Sequence, residues 1–555
     1  MAHPRPLTQC PPAQLDWSRP STPAATDFGD IYFSTDGGLD ETRTVFLEGC
    51  GLPENWQKAP CFTVAELGFG SGLNFLATWQ LWAKTAQPHQ RLHFVSIEKF
   101  PFNYKQIKRA LSTWPELAAY SEPLIKAWPG RVRGLHRLDF GAVTLTLIHE
   151  DVETALTQLD QLKANAWFLD GFSPSGNPAM WSETVMKAVA KSCAPGARLA
   201  SFSVAGSVRT ALKNAGFEVR KMPGFGRKRH RLEAELSVAS KPALRQIDHA
   251  LIVGAGIAGR SLAHALEARQ IKFDIIDNAA HPAASYNPAV LVKPRFDLQD
   301  RPESRFFLSA YLHALRTYPK AAVLERGVRQ LPKTQKEAER YQKLVDQAPL
   351  GDGHLYWQDD ALWIESASMY DPSKIFDDFE VRRETYEAGQ NHAGYSHIFL
   401  AAGYGIRALA PEIAVRFSRG QLSWAKPIWD IPTAYGGYAI NLGGAALIGA
   451  TYDRLDNRDP FELRAEDDAR NYDALAEMSK KTVEPLPRAS RASIRVTTAD
   501  TLPVMTELDP KTWALTGLGS RGFTFAPLLA EAMIAEICGE VGPLDKTLRA
   551  KFSAG

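Results

Sequence analysis

Two glycine-rich loops of different kinds constrain this chain more than any other feature. Glu66-Leu67-Gly68-Phe69-Gly70-Ser71-Gly72 has the form E-x-G-x-G-x-G. Gly254-Ala255-Gly256-Ile257-Ala258-Gly259 has the form G-x-G-x-x-G. Each follows a short apolar run. A strand that enters a glycine turn lets the backbone approach a nucleotide with no Cβ in the way. The first form suits S-adenosylmethionine and the second a dinucleotide such as FAD. A chain with both is expected to run two reactions.

At 555 residues the chain exceeds one ordinary core, so two to four domains are expected. The formal net charge is +2, so any nucleic-acid footprint must be local. The five cysteines include no C-x-x-C, which argues against a disulfide framework or a thiolate zinc site and predicts a reducing, cytoplasmic setting with no metal. The start lacks an apolar signal core, and no apolar stretch suits a membrane helix. Oligomeric state is not legible.

In the first half, Cys61–Glu66, Leu92–Ile97, Val143–His149, Ala166–Leu169 and Leu199–Ser203 read as buried parallel strands separated by helices. Phe217–Arg220 and Arg231–Leu236 are too close for a crossover helix and predict an antiparallel pair at the sheet edge. This is the layout of a Rossmann-like methyltransferase. Glu66, Gly68, Gly70 and Gly72 form its cofactor loop. Glu98, at a strand end, is placed to accept ribose hydroxyls, and Asp151, after the next strand, to accept the adenine amine. Asp170-Gly171-Phe172-Ser173-Pro174 ends the fourth strand. Methyl transfer from a sulfonium needs an unprotonated, oriented amine, so Asp170 is the candidate acceptor or base and Phe172 a wall against water. A strand-end Asp that only caps its turn is the plainer reading. Gly224–Arg231 holds Phe225, Arg227, Lys228 and Arg229, a set that suits phosphates and a stacked base.

In the second half, Ala250–Val253 runs into the second loop, a helix is expected over Arg260–Arg269, and Phe273–Asp277 is the next strand. Gly254, Gly256 and Gly259 with Asp277 about 20 residues on make the dinucleotide fingerprint. Ile398–Gly403 reads as a further strand near the cofactor. Gly519, Arg521 and Gly522 precede an expected apolar helix, Ala526–Ile537, whose start offers free N–H groups to a flavin. The regions 300–395 and 410–500 are expected to form an antiparallel substrate sheet. The domains are then 1–236, a linker over 237–248, and 249–555.

With these blocks in hand, the chain resembles the bacterial bifunctional tRNA 5-methylaminomethyl-2-thiouridine biosynthesis proteins. The motifs are Asp30–Ser34, Gly38–Arg43, Glu66–Phe75, Trp167–Pro174 and Gly224–Arg229, then Gly254–Gly259, Ile448–Tyr452 and Gly519–Gly522. The second half is similar to D-amino-acid and glycine oxidases. The resemblance implies two cofactors, FAD and S-adenosylmethionine, and a tRNA partner. It implies that the FAD half oxidises the carboxymethylaminomethyl group of the wobble uridine, with release of glyoxylate, and that the other half methylates the resulting amine. It also implies a cation for the substrate carboxylate, with Arg521 and Lys293 as candidates. Tyr286 and Pro288 stand where that family carries small or polar residues. Two other readings stay open: a tRNA methyltransferase with a non-catalytic flavin module, and an oxidase–methyltransferase fusion acting on a small amine.

Overall fold

A computed structural model describes residues 5–19, 22–159, 161–237, 247–376, 379–389 and 392–553. The expected linker over 237–248 lies largely outside the described residues. The chain forms two compact units. One runs from Gln9 through residue 237 and also includes Ala535–Lys546; the other runs from residue 247 to Ile534 and also includes 5–8 and 547–553. Neither chain end therefore follows a single cut along the sequence.

The first unit is built on an eight-stranded sheet. Its strands are β1 (Cys61–Leu67), β2 (Arg91–Ile97), β3 (Gly134–Phe140), β4 (Val143–His149), β5 (Ala164–Leu169), β6 (Cys193–Ser201), β7 (Glu218–Pro223) and β8 (His230–Leu236). Their order is β7-β8-β6-β5-β1-β2-β4-β3. The five middle strands β6, β5, β1, β2 and β4 are parallel, and β7–β8 is the antiparallel edge pair that the short spacing predicts. The opposite edge differs from expectation: β3 pairs antiparallel with β4. His136 and Arg137 sit buried within β3, bonded to Val132 O and Thr146 Oγ1, so polar residues mask this edge strand in the sequence. The helix Leu73–Thr85 (α1) leaves the first glycine loop, and Tyr104–Leu111 (α2) follows β2. Val541, from the far end of the sequence, packs in the same core as Trp167 and Leu199. Glu540 beside it is buried, 3.4 Å from His93 Nε2 and 3.9 Å from Arg91 Nε.

The second unit pairs two sheets. The smaller has the order β10-β9-β11-β13-β12, from β9 (His249–Val253), β10 (Lys272–Ile276), β11 (His397–Leu400), β12 (Val504–Glu507) and β13 (Thr512–Thr516). All its pairings are parallel except β12–β13. The helix Ile257–Glu267 (α3) leaves the second glycine loop, three residues earlier than Arg260. The helix Gly522–Ile537 (α4) likewise begins at Gly522, ahead of the expected Ala526. The larger sheet has ten strands between Val290 and Thr497 and is antiparallel apart from one short parallel pairing, Arg329–Gln330 with Thr433–Ala434. This is the expected substrate sheet. The chain is thus α/β throughout, a Rossmann-like unit followed by a dinucleotide fold with an antiparallel subdomain.

Candidate active sites

Loop 68–72 carries the chain from β1 into α1. Gly68 has φ +81°, and a Cβ there would stand 3.0 Å from Gly171 Cα, so the glycine lets two strand-end turns meet. Above them lies a cavity of about 480 Å³. Of the predicted residues, Gly68, Gly70, Glu98, Asp151, Asp170, Phe172 and Lys228 line it. Glu66, Gly72, Phe225, Arg227 and Arg229 do not.

Each departure has a physical reason. Glu66 is buried beneath the loop, with Ser96 Oγ donating to one carboxyl oxygen at 2.7 Å and Asn74 Nδ2 to the other at 2.9 Å. Burial pushes its carboxyl well above the usual carboxylate range, and the two donors hold it beneath the loop as a brace. Gly72 makes room for a ring: a Cβ there would meet Phe69 at 2.7 Å. Phe225 packs half-buried against the core instead of standing free to stack. Arg227 is exposed and lies 3.5 Å from Asp36. Lys228 points into the cavity, where its Nζ bonds Glu41 Oε1 at 2.9 Å and lies 4.4 Å over the Phe202 ring.

Glu98 accepts N–H bonds from Gly70 (2.9 Å) and Phe100 (2.8 Å), one on each oxygen. Asp151 caps the next helix through Glu153 N and also takes Lys99 Nζ at 3.0 Å. Asp170 accepts from Gly171 N at 2.8 Å and from Asn74 Nδ2 at 2.7 Å. Burial pushes its carboxyl up to about 7, against those two bonds and with Glu41 adding to the rise. A carboxyl so tuned exchanges a proton near neutral pH.

Four further residues, given no role in the sequence reading, contribute here. Asn74 is the amide that orients Asp170; its own oxygen is fixed by Thr42 Oγ1 at 2.8 Å. Phe28 stacks on Phe172 with centroids 4.4 Å apart, and Tyr32 meets the same ring edge-on at 5.2 Å. Asp30 Oδ2 accepts from Ser173 N, so the N-terminal segment pins the Asp170 turn. An amide in the otherwise apolar start of α1 was the available signal.

In the second unit, Gly254 has φ +109°, and a Cβ there would lie 2.4 Å from Ala401 O. Gly259 closes on Gly254 O in the same way, at 1.9 Å. Asp277 follows β10 and accepts from Ala255 N at 2.8 Å and Ala279 N at 2.7 Å. Ser285 Oγ takes the Ile257 N–H at the start of α3 (3.0 Å), and the Tyr286 hydroxyl donates to Ala255 O (3.0 Å). Tyr286 thus braces the loop in place of a small residue. A Cβ on Gly256 would stand 3.1 Å from Ser285 Oγ, filling the cradle between loop and helix start. That cradle, with its N–H groups and the acid after β10, fits a dinucleotide.

Gly519–Arg521 forms a single turn that delivers Gly522 to the start of α4. Burial and the neighbouring Arg295 lower Arg521 to about 10. Burial, then Arg521 and Arg340, lower Lys293 to about 7, and its Nζ donates to Gln330 at 2.7 Å. A third cation was missed. Arg495 lies on the strand Arg491–Thr497, whose alternate residues face one way. Arg491 on that face bonds Asn287 and Ala283 O, and Thr497 lies close to Gly519. Arg495 lies on that same strand face, between Arg491 and Thr497. Its guanidinium lies 5.4 Å from the Tyr452 ring centroid and donates to Thr451 O. Burial holds its guanidinium below the usual arginine range.

Among the described residues, Cys61, His93 and Glu540 bring ligand-type atoms within 4.8 Å of one another. Arg91 already faces Glu540, so the carboxylate has a counter-charge there. No helix among the described residues is long and apolar enough to cross a membrane.

Fold and sites together define a methyltransferase of the S-adenosylmethionine class joined to an FAD-dependent oxidoreductase. Family models agree: S-adenosyl-L-methionine-dependent methyltransferase over residues 115–237, NAD(P)-binding Rossmann-like domain over 252–302, and FAD dependent oxidoreductase over 373–536. The chain is 40% identical to the tRNA 5-methylaminomethyl-2-thiouridine biosynthesis bifunctional protein MnmC of Maricaulis maris, covering 98% of this chain and 96% of that one. It matches the protein of that name from Caulobacter vibrioides at 40% (98% and 97% covered) and from Methylobacillus flagellatus at 34% (97% and 94%). The chain belongs to this bifunctional MnmC family.

Proposed function

We propose that this protein modifies the wobble uridine of tRNA in two steps. The second unit oxidises the carboxymethylaminomethyl group to an aminomethyl group, and the first unit methylates that amine. The domains are assigned to match: methyl transfer to Gln9 through residue 237 with 535–546, and oxidation to 249–534 with 5–8 and 547–553.

The observation that carries the reading is Asp170, a carboxyl on the wall of the cavity that burial pushes up to about 7. Gly68, Gly70, Glu98 and Asp151 hold S-adenosylmethionine, which supplies the methyl group when bound. Asp170 takes the proton of the incoming ammonium at Oδ2 and aims the freed lone pair. Phe28, Tyr32 and Phe172 exclude water from that side. Lys228, held by Glu41, meets the nucleotide at the cavity mouth, while Arg227 and Arg229 meet phosphates outside.

In the second unit, Gly254, Gly256, Gly259, Asp277, Gly519 and Gly522 would hold FAD, which accepts a hydride from the carbon next to nitrogen. Arg495, flanked by Tyr452, holds the substrate carboxylate, with Arg521 and Lys293 adding positive potential. Water then cleaves the imine, leaving the aminomethyl group and glyoxylate.

The test is methyl transfer from labelled S-adenosylmethionine to tRNA bearing 5-aminomethyluridine. Wild type should transfer label and Asp170→Asn should lose about 100-fold or more, the scale of a lost general base. An unlabelled tRNA with active cofactor binding overturns the reading.

A further inference from the structure

We propose that the exposed face of α2 (Tyr104–Leu111) docks the phosphate backbone of the RNA whose amine is methylated in the adjoining cavity. This rests on the tRNA reading above and assigns it a surface that the basic loop over Gly224–Arg231 does not include.

The helix reads Tyr-Lys-Gln-Ile-Lys-Arg-Ala-Leu, with no acid. Ile107, Ala110 and Leu111 are buried, so Tyr104, Lys105, Lys108 and Arg109 are left on the solvent side. Lys105 lies three residues from Lys108 and four from Arg109. Like charges at those spacings destabilise a helix by a few tenths of a kcal/mol each. None of the three cations is paired with a carboxylate among the described residues, although Lys99, Arg43 and Lys187 on the same unit are. The whole chain carries only +2, so the patch is not the spill-over of a basic protein. A repulsive cluster kept free of acids fits an anionic partner.

The face is also built rigidly. Asn103 and Gln106 form a reciprocal cap at the helix start, and Gln106 Nε2 bonds Ala13 O at 3.2 Å. The Arg109 guanidinium lies 4.1 Å over the Trp17 indole, which orients it without removing its charge. Tyr104 is 52% exposed, an aromatic ring presented beside the cations. Aromatic rings interleaved with unpaired cations suit a nucleic-acid strand better than an acidic peptide.

Position completes the argument. Lys99 and Phe100, just before the helix, line the cavity wall. In the sheet order, β2 lies on one side of β1, and the β7–β8 hairpin carrying Lys228 lies on the other, beyond β5 and β6. The cavity is thus flanked by two basic surfaces. A polyanion that threads one nucleotide into it meets both.

The experiment replaces the cations together, K105Q/K108Q/R109Q, in the full chain. It measures methyl transfer to tRNA bearing aminomethyluridine and tRNA binding across salt concentrations. The KM for tRNA should rise about tenfold or more, and the slope of log affinity against log salt should fall by about 2 to 3. The kcat at saturating tRNA should stay within about twofold, and the melting temperature should not fall, because like-charge crowding is removed. Unchanged KM and salt slope in an enzyme that methylates tRNA overturn the docking face alone. Loss of binding to anionic phosphatidylserine vesicles with tRNA parameters intact assigns the face to a lipid surface and also overturns it. A wild-type protein that neither binds nor methylates tRNA overturns the parent reading as well.

Discussion

Asn74 Nδ2 donates to Asp170 Oδ2 at 2.7 Å, and its second hydrogen goes to Glu66 Oε1 at 2.9 Å. One amide therefore joins the first residue of the glycine motif to the strand-end acid. Asn74→Leu removes a bond that favours the Asp170 carboxylate and should push its carboxyl further up in pH. At pH 7 the methyl-transfer kcat/KM should fall about tenfold, the worth of one hydrogen bond to a charged group, and recover in part at higher pH. A uniform loss at every pH would instead mean misfolding of the loop.

The same carboxyl sets the pH dependence of the wild-type enzyme. Below about 7 Asp170 is protonated and cannot accept a proton; above it, the carboxylate is available. The kcat/KM for methyl transfer should rise with pH through an inflection near 7, and that inflection should vanish in Asp170→Asn. A profile flat from pH 6 to 8 in wild type contradicts the assignment.

How much of this was legible in the sequence differs by residue type. The positions of the glycine loops and of Glu98, Asp151, Asp170 and Asp277 at strand ends were legible, because a strand, a turn and an acid at its end are local. Glu66 belongs to the same motif, yet its side chain turns under the sheet; a motif fixes spacing, not facing. Arg495 was not legible, because what places it is a strand face shared with Arg491 and Thr497, and its hydrogen-bond partner Thr451 is 44 residues away in sequence. The Phe28–Tyr32 wall and the Val541 contribution were hidden for the same reason. β3 was hidden because its buried His136 and Arg137 satisfy their polarity internally.

The basic loop divides into two roles. Arg227→Ala with Arg229→Ala should weaken tRNA binding and flatten its salt dependence by up to about 2, with kcat retained. Lys228→Ala should instead lower kcat, since its Nζ lies in the cavity beside Glu41. Equal effects on salt slope from all three would return Lys228 to the phosphate-binding set.

For the oxidase site, Gly256→Val should give a colourless protein, because a branched side chain would enter the cradle beside Ser285. Arg495→Met should keep the flavin and raise the KM for the carboxymethylaminomethyl substrate by about 10- to 100-fold, the cost of unpairing a carboxylate. Arg521 or Lys293 carries that role instead if Arg495→Met leaves KM unchanged and their substitution does not.

Glu540→Leu should destabilise the methyltransferase unit by about 3 kcal/mol, since it removes a buried carboxylate that lies 3.4 Å from His93 and 3.9 Å from Arg91. Thermal unfolding followed through cofactor binding at that unit reads the effect.

The central claim is that one chain makes an amine on tRNA and then methylates it. Nucleoside mass analysis of tRNA from cells lacking this protein tests it most directly, with the gene returned as wild type, Asp170→Ala or Gly256→Val. The account predicts carboxymethylaminomethyluridine in the deletion and with Gly256→Val, aminomethyluridine with Asp170→Ala, and methylaminomethyluridine with wild type. An unchanged wobble uridine in the deletion strain, or methylated product from the Gly256→Val strain, would contradict it.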